Sequence, residues 1–297
     1  MKIAIIGTNG FLSTAIANYA SNKGWHLDMY GLEPPKEHLY TNFYSIDLTM
    51  ETINGSTLSD NDIIVYAVGA GIQSNLKESS ELIYNLNVQV PIKISKVLQS
   101  IGYHGIYITF GSYFELGETD LLKPATEEYL INTSAKAPTD YVISKRMLTK
   151  YIISYKHEFT HWHFILPTIF GIGENPKRLI PYTINAIRNN EKLHFTSGEQ
   201  IRQYLYVDEV AVYIDKAYSC NLLSGVYNIS GMCTISVREL VDTICKKMNY
   251  NLDSHAFGTE SKSDTSMKYL ALDGSILKNN LKYEPRITID EILKMYM

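Results

Sequence analysis

The sequence predicts an α/β fold, a doubly wound parallel sheet with a smaller C-terminal subdomain. Three observations carry this expectation. Short apolar runs alternate with helical patterns through the first half, a glycine turn joins the first strand to the first helix, and the alternation loosens after Thr168. The 297 residues are 45% hydrophobic, ample for a buried core in one large domain or two small ones.

In order, the elements are "KIAIIG", a helix over 11–23, "WHLDMYG", "NDIIVYAVG", a helix over 81–101, "GIYITFG", a helix over 141–156, and "WHFILPT". These read as βαβ units whose strands are covered on both faces. In 81–101 the apolar residues Ile83, Leu86, Val90, Ile94, Val97, Leu98 and Ile101 keep close to helical period, and Pro91 must sit near a start or a kink. Later come "FGIGENPKR", a helix over 179–189, "IRQYLYVDEVAVYIDKAYS", the strand "GVYNIS", a helix over 236–248 and a polar stretch over 258–268. The expected division is 1–170, with a return segment at about 202–230, against a smaller subdomain of 171–201 and 231–297. Internal repeats and low-complexity tracts are absent.

A net charge of −4 without a Lys or Arg run argues against nucleic-acid and membrane partners and for small molecules or other chains. Cys220, Cys233 and Cys245 lack zinc-site spacing and are expected to be buried or inert thiols. The opening "MKIAIIG" enters a strand directly, lacks a cleavage pattern and is too short to span a bilayer, so the expected location is the cytoplasm.

"IAIIGTNGFLSTAIANYA" has the geometry that lays a pyrophosphate on a helix N-terminus, as in a Rossmann-type fold. Gly7 supports the turn, Gly10 permits close backbone approach, and Ser13 stands where a small residue must let helix and strand pack. A purely structural turn is the alternative. Near the end of the second strand, the position that in NAD sites holds a ribose-binding acid is Gly31. Asp28 and Glu33 reach it only by a shifted alignment. The missing acid permits a 2′-phosphate with Lys36 as partner and favours NADP over NAD, although Asp28 is equally readable as a solvent-facing strand residue.

Ser112 ends an apolar strand at the edge where open α/β sheets expose ligands, and Tyr141 and Lys145 follow at helical i, i+4 spacing. The same spacing at Tyr19/Lys23 has no such strand-end hydroxyl and reads as a surface coincidence. Tyrosine, with a pKa of about 10, needs help to act as an acid-base group. A lysine charge about 6 Å away is worth roughly 2.8 kcal/mol at an effective dielectric near 20, or about two pKa units. Lys145 is placed to supply it, Ser112 to orient a carbonyl or hydroxyl, and Tyr141 to exchange its proton while a nicotinamide exchanges hydride. The plain alternative is an exposed helical pair and a turn serine.

Together these residues resemble the extended short-chain dehydrogenase/reductase family, particularly its nucleotide-sugar epimerases, dehydratases and reductases, over nearly the whole chain. "GTNGFLS" is similar to the GxxGxxG turn, with Ser13 for the last glycine. "YVISK" is similar to YxxxK, and "GSYFELG" to the segment ending in Tyr-Gly, with Leu116 at the tyrosine position. The resemblance implies that Asp47 contacts the adenine, that Asn87 lies near the active site, that Arg202 in "IRQYLYVDEVA" contacts nucleotide phosphates, and that Asp208 fixes the local fold. "GVYNIS" and "LKYEPRITIDEIL" also match in order. By position it implies a cofactor set of Gly7, Asn9, Gly10, Phe11, Leu12, Gly31, Asp47, Leu48, Ala67, Val68, Gly69, Asn87, Tyr141, Lys145 and Pro167. The implied substrate set is Ser112, Tyr113, Tyr141, Arg202 and Lys262, and Lys262 and Asp264 read equally well as a solvated loop.

Dehydratases of this family place an Asp-Glu pair after the catalytic hydroxyl, whereas Tyr113 and Phe114 follow Ser112 here and Glu115 comes one position late, expected to point elsewhere. The expected activity is NAD(P)H-dependent reduction of a nucleotide-linked 4-keto-6-deoxysugar, in deoxysugar or cell-surface polysaccharide biosynthesis. A 4-epimerase is the alternative. A dinucleotide-sensing or scaffold protein of the same fold is disfavoured by the intact Ser112, Tyr141, Lys145 and glycine turn. The resemblance of helices 81–101 and 141–156 to those of family dimers implies a homodimer, and no metal is expected.

Overall fold

A computed structural model describes residues 1–36, 39–72, 77–260, 263–285 and 287–296. The first half builds β1 (Lys2–Ile6), α1 (Phe11–Asn22), β2 (His26–Gly31), β3 (Asn42–Ser45), α2 (Gly55–Leu58), β4 (Ile63–Tyr66), α3 (Ser80–Tyr84), α4 (Val90–Ser100), β5 (Ile106–Ser112), α5 (Glu127–Asn132), α6 (Asp140–Ser154) and β6 (Thr160–Leu166). There follow β7 (Thr168–Phe170), α7 (Leu179–Arg188), β8 (Ile201–Tyr206), α8 (Val207–Ser219), β9 (Gly225–Asn228), β10 (Cys233–Ser236), α9 (Val237–Lys247), β11 (Tyr269–Leu270), α10 (Ser275–Leu281) and α11 (Ile289–Tyr296).

The large sheet has the order β3-β2-β1-β4-β5-β6-β9 and is parallel throughout. Strand order reverses between β1 and β4, which opens a crevice at the carboxyl ends of those strands. Pleating explains the two-sided burial. On β1, Ile3 and Ile5 join the core shared with α1 and α8, while Ala4 and Ile6 join the opposite core with Ile94 and Leu98 of α4. In the smaller sheet β8 pairs antiparallel with β10 and parallel with β11 and β7, over a core containing Phe170, Ile184, Tyr204, Leu240 and Ile292. Within 202–230, β8 therefore belongs to the small sheet, and β9 to the large one.

The helix expected over 81–101 is interrupted. A π-helical turn, Asn85–Gln89, separates α3 from α4, and Pro91 follows directly after it in the first turn of α4. Two expectations are corrected. Tyr19 and Lys23 are no surface coincidence: the Tyr19 hydroxyl donates to Asp215 at 2.7 Å and Lys23 pairs with the same carboxylate at 3.0 Å, fastening α1 to α8. Of the cysteines only Cys245 is buried, and Cys220 is exposed because it caps the solvent-facing end of α8. No helix among the described residues is long and apolar enough to cross a membrane.

Candidate active site

The glycine turn runs from β1 into α1. Gly7 has φ +111°, a conformation that strains any side chain, and a Cβ there would sit tightly, 3.1 Å from Val68 and 3.3 Å from the Ala67 backbone. Ser13, fully buried, accepts from the Gly10 amide at 3.1 Å and donates to its carbonyl at 2.9 Å. Folding the hydroxyl back onto its own turn is what lets serine stand in the glycine position. Asn9 braces the turn against the loop after β2, donating to the Pro34 carbonyl at 3.2 Å and accepting from the Lys36 amide at 3.1 Å. These residues fit a dinucleotide: a side-chain-free cradle opens onto a helix N-terminus at the switch point of the sheet.

At the end of β2, Gly31 is required because a Cβ would meet the Thr8 hydroxyl at 2.6 Å. Asp28 does not face solvent, and it does not reach the crevice. It is 2% exposed, 3.0 Å from His26 Nε2, and accepts from Asn42 at 2.8 Å. Lys36 is engaged by Glu33 at 2.8 Å. Asp47 accepts from the amide and hydroxyl of Thr49, whose hydrogen bonds hold its carboxyl below its ordinary range. Asn87, in the π turn, is buried. It exchanges hydrogen bonds with both backbone groups of Ala70 and donates to Ser144 at 3.0 Å, tying the loop after β4 to α6.

Ser112, Tyr141 and Lys145 come together at the carboxyl end of β5. Ser112 ends the strand and caps a single 3₁₀ turn, Tyr113–Leu116, its hydroxyl accepting from the Phe114 amide at 3.3 Å and acting on the Tyr141 phenol in the direction that favours the phenolate. Thr139 caps α6 and places Tyr141 in its first turn, one turn before Lys145. Lys145 Nζ lies 5.8 Å from the Tyr141 ring centre and donates to the Phe110 carbonyl at 2.9 Å.

The electrostatics differ from the expectation of a lysine-tamed phenol. Burial pushes the Tyr141 phenol well above its ordinary pKa, opposed by the Ser112 hydrogen bond and the Arg178 charge. Burial also brings Lys145 down to about 8, with Glu115 opposing. Desolvation dominates, and what opposes it at Tyr141 is Ser112 and Arg178 rather than the lysine on which the sequence argument relied.

A cavity of about 330 Å³ adjoins Tyr141, with Tyr113, Phe114, Arg178, Arg202 and Tyr204 among its lining residues. Phe114 sets its ring edge against Tyr141, and the buried Tyr113 hydroxyl meets Thr168 at 2.5 Å. Arg202, on β8, is 4% exposed and donates to the Ile201 and Met267 carbonyls at 2.9 and 2.8 Å. Glu115 does not line the cavity. It is fully buried and accepts from the Ser112 amide at 2.8 Å and the Thr149 hydroxyl at 2.7 Å. Lys262 lies outside the described residues. Sequence reading missed Glu174 and Arg178, both lining the cavity and ion-paired at 3.2 Å, with the Tyr296 hydroxyl on Glu174 at 2.5 Å. Both lie in the irregular segment before α7, where no periodic pattern in the sequence could have paired them.

CDP-abequose synthase of Yersinia pseudotuberculosis is 20% identical over 212 residues, covering 71% of this chain and 70% of that protein. A trifunctional UDP-glucose 4,6-dehydratase/UDP-4-keto-6-deoxy-D-glucose 3,5-epimerase/UDP-4-keto-L-rhamnose-reductase of Arabidopsis thaliana is 24% identical, with all of this chain matching 46% of its length. The structure of MoeE5 in complex with UDP-glucuronic acid and NAD superposes with a TM-score of 0.83 at 17% identity, covering 99% of this chain and 97% of that one. A sequence profile of the NAD dependent epimerase/dehydratase family matches residues 3–230. That match covers most of the chain, glycine turn and YxxxK helix included, so the protein belongs to this family of extended short-chain dehydrogenases/reductases and is an enzyme of that kind.

Proposed function

We propose that the protein is a cytoplasmic NAD(P)H-dependent reductase of a nucleotide-linked 4-keto-6-deoxysugar, acting in deoxysugar or cell-surface polysaccharide biosynthesis. The observation that carries this reading is the turn after Ser112. Eliminating water needs an acid and a base beyond the tyrosine, yet Tyr113 and Phe114 line the cavity there and Glu115 turns inward. The large sheet is assigned to the cofactor, and 171–201 with 231–297 to the nucleotide sugar. The name of the Arabidopsis relative includes reduction of a UDP-linked 4-ketosugar, and MoeE5 holds a UDP-sugar beside NAD, which supports the substrate class.

When bound, a nicotinamide supplies the hydride. The chain's own residues handle the proton. The Ser112 hydroxyl orients the carbonyl oxygen and Tyr141 gives its proton to that oxygen. A buried phenol with raised proton affinity is fully protonated before turnover, as an acid must be. Ser112, Arg178 and the Lys145 ammonium then favour the phenolate that forms.

NADPH is the inferred cofactor. Gly31 offers no carboxylate to the ribose, Asp28 is committed to His26 and Asn42, and Lys36 is the cation beside the turn. A homodimer is inferred from the outer face of α6, where Ile143, Met147 and Ile153 are exposed.

The test is stoichiometric. Incubation with nucleotide-linked 4-keto-6-deoxysugars should consume NAD(P)H in equimolar amount, read from its absorbance. Conversion of nucleotide sugar without net consumption replaces the reading with 4-epimerisation.

A further inference from the structure

Between α6 and strands β5 and β6, five buried side chains form one hydrogen-bonded line: Glu115, Thr149, His163, Thr109 and His161. Glu115 Oε2 meets the Thr149 hydroxyl at 2.7 Å, and that hydroxyl lies 3.0 Å from His163 Nε2. The Thr109 hydroxyl lies 2.8 Å from His163 Nδ1 and 3.0 Å from His161 Nε2. The line stops at His161 Nδ1, which is buried without a partner.

Each threonine has one hydrogen to give, so the line has only two self-consistent directions. In the first, Thr149 donates to an ionised Glu115 and accepts His163 Nε2–H. Thr109 then donates to His163 Nδ1 and accepts His161 Nε2–H, and the end of the line is an unfilled lone pair. In the second, a protonated Glu115 starts the line and a buried His161 Nδ1–H ends it with no acceptor. An orphaned buried N–H is the rarer and costlier fault, which selects the first direction. Both imidazoles are neutral in either case, since burial pushes His161 down to about 3 and His163 well below its ordinary value.

The other carboxylate oxygen is placed as specifically. Glu115 Oε1 accepts from the Ser112 amide at 2.8 Å, and it has room because a Cβ on residue 111 would lie only 2.5 Å away. Arg146 Nε is committed to the Glu115 carbonyl at 2.6 Å. The charged and titratable groups facing Lys145 and Glu115 are Tyr141 and Arg146 from α6 and His163 from β6. Burial raises the Glu115 carboxyl, with Thr149, the Ser112 amide, Lys145 and Arg146 opposing.

We propose that the threonine–histidine line locks Glu115 as a carboxylate, and that this carboxylate is the buried counter-charge keeping Lys145 an ammonium beside Tyr141. Glu115 is then a positioning residue for the Ser112–Tyr141–Lys145 group. The inference rests on the reading of that group as the proton-handling centre. Its test reads ionisation without turnover, so the two fail separately.

Long-range nitrogen NMR spectra of the protein labelled at histidine should show Nε2–H tautomers at both His161 and His163. An Nδ1–H tautomer at either overturns the assigned charge. Urea unfolding across the alkaline range supplies the second readout. Lys145 binds its proton less tightly folded than unfolded, so stability rises as pH climbs from about 8 toward 10.5. The isosteric Glu115→Gln should start that rise about one pH unit lower, and Lys145→Met should abolish it in both backgrounds. A rise unmoved by Glu115→Gln overturns the proposal. If that variant does not fold, the tautomers of the unaltered protein decide.

Discussion

Tyr141 illustrates what spacing conveys and what it omits. The i, i+4 relation to Lys145 was readable from the helix, and Ser112 from the strand end before it. The direction of the phenol's shift was not, because burial comes from Tyr113, Phe114 and the opposite wall of the cavity, residues that no local pattern brings near. As the proposed proton donor, Tyr141→Phe should lower turnover by about 10²–10⁴-fold while leaving the cofactor dissociation constant nearly unchanged. Steady-state rates and a fluorescence titration of NADPH check both halves. Lys36→Ala should raise the KM for NADPH and leave that for NADH unaltered, since only the phosphorylated ribose calls on the lysine. The buried histidines predict acid sensitivity. His161 falls from 6.5 to about 3 on folding, so the folded state binds fewer protons in that window and stability is lost as pH falls through it. The loss should approach about 1.4 kcal/mol per pH unit for each such histidine, measured by urea unfolding from neutral pH downward.

Helices and strands here depend on contacts that join distant parts of the chain. α1 was predicted as a helix by its pattern alone, but its attachment to α8 through Asp215 joins residues nearly two hundred positions apart and was invisible locally. Tyr19→Phe should cost about 1 kcal/mol of unfolding free energy by losing one hydrogen bond. The end of β5 is tighter. At Gly111 a Cβ would lie 2.4 Å from Ile165 and 2.8 Å from His163 Nε2, so Gly111→Ala should destabilise by about 1–3 kcal/mol. In both variants a shifted urea midpoint with an unchanged slope is the expected signature.

The doubly wound sheet was legible because parallel strands buried on both faces write themselves as continuous apolar runs, as in "IAII" and "IIVY". The smaller sheet was not, because its strands are short and β8 pairs with three partners from separate stretches. If two copies associate through α6, sedimentation at micromolar concentration should report twice the chain mass. Met147→Lys should shift it toward the monomer, whereas a monomeric parent removes the dimer from the account.

The five-residue π turn before α4 fixes more than a bend. Each residue of a helix advances it by about 100°, so deleting a single position between 85 and 89 would swing Asn87 away from Ala70 and Ser144 together. The amide of Asn87 and the length of the stretch that aims it are needed together, since all three bonds are made by that one side chain. A chain one residue shorter here would have to join the loop after β4 to α6 by some other contact.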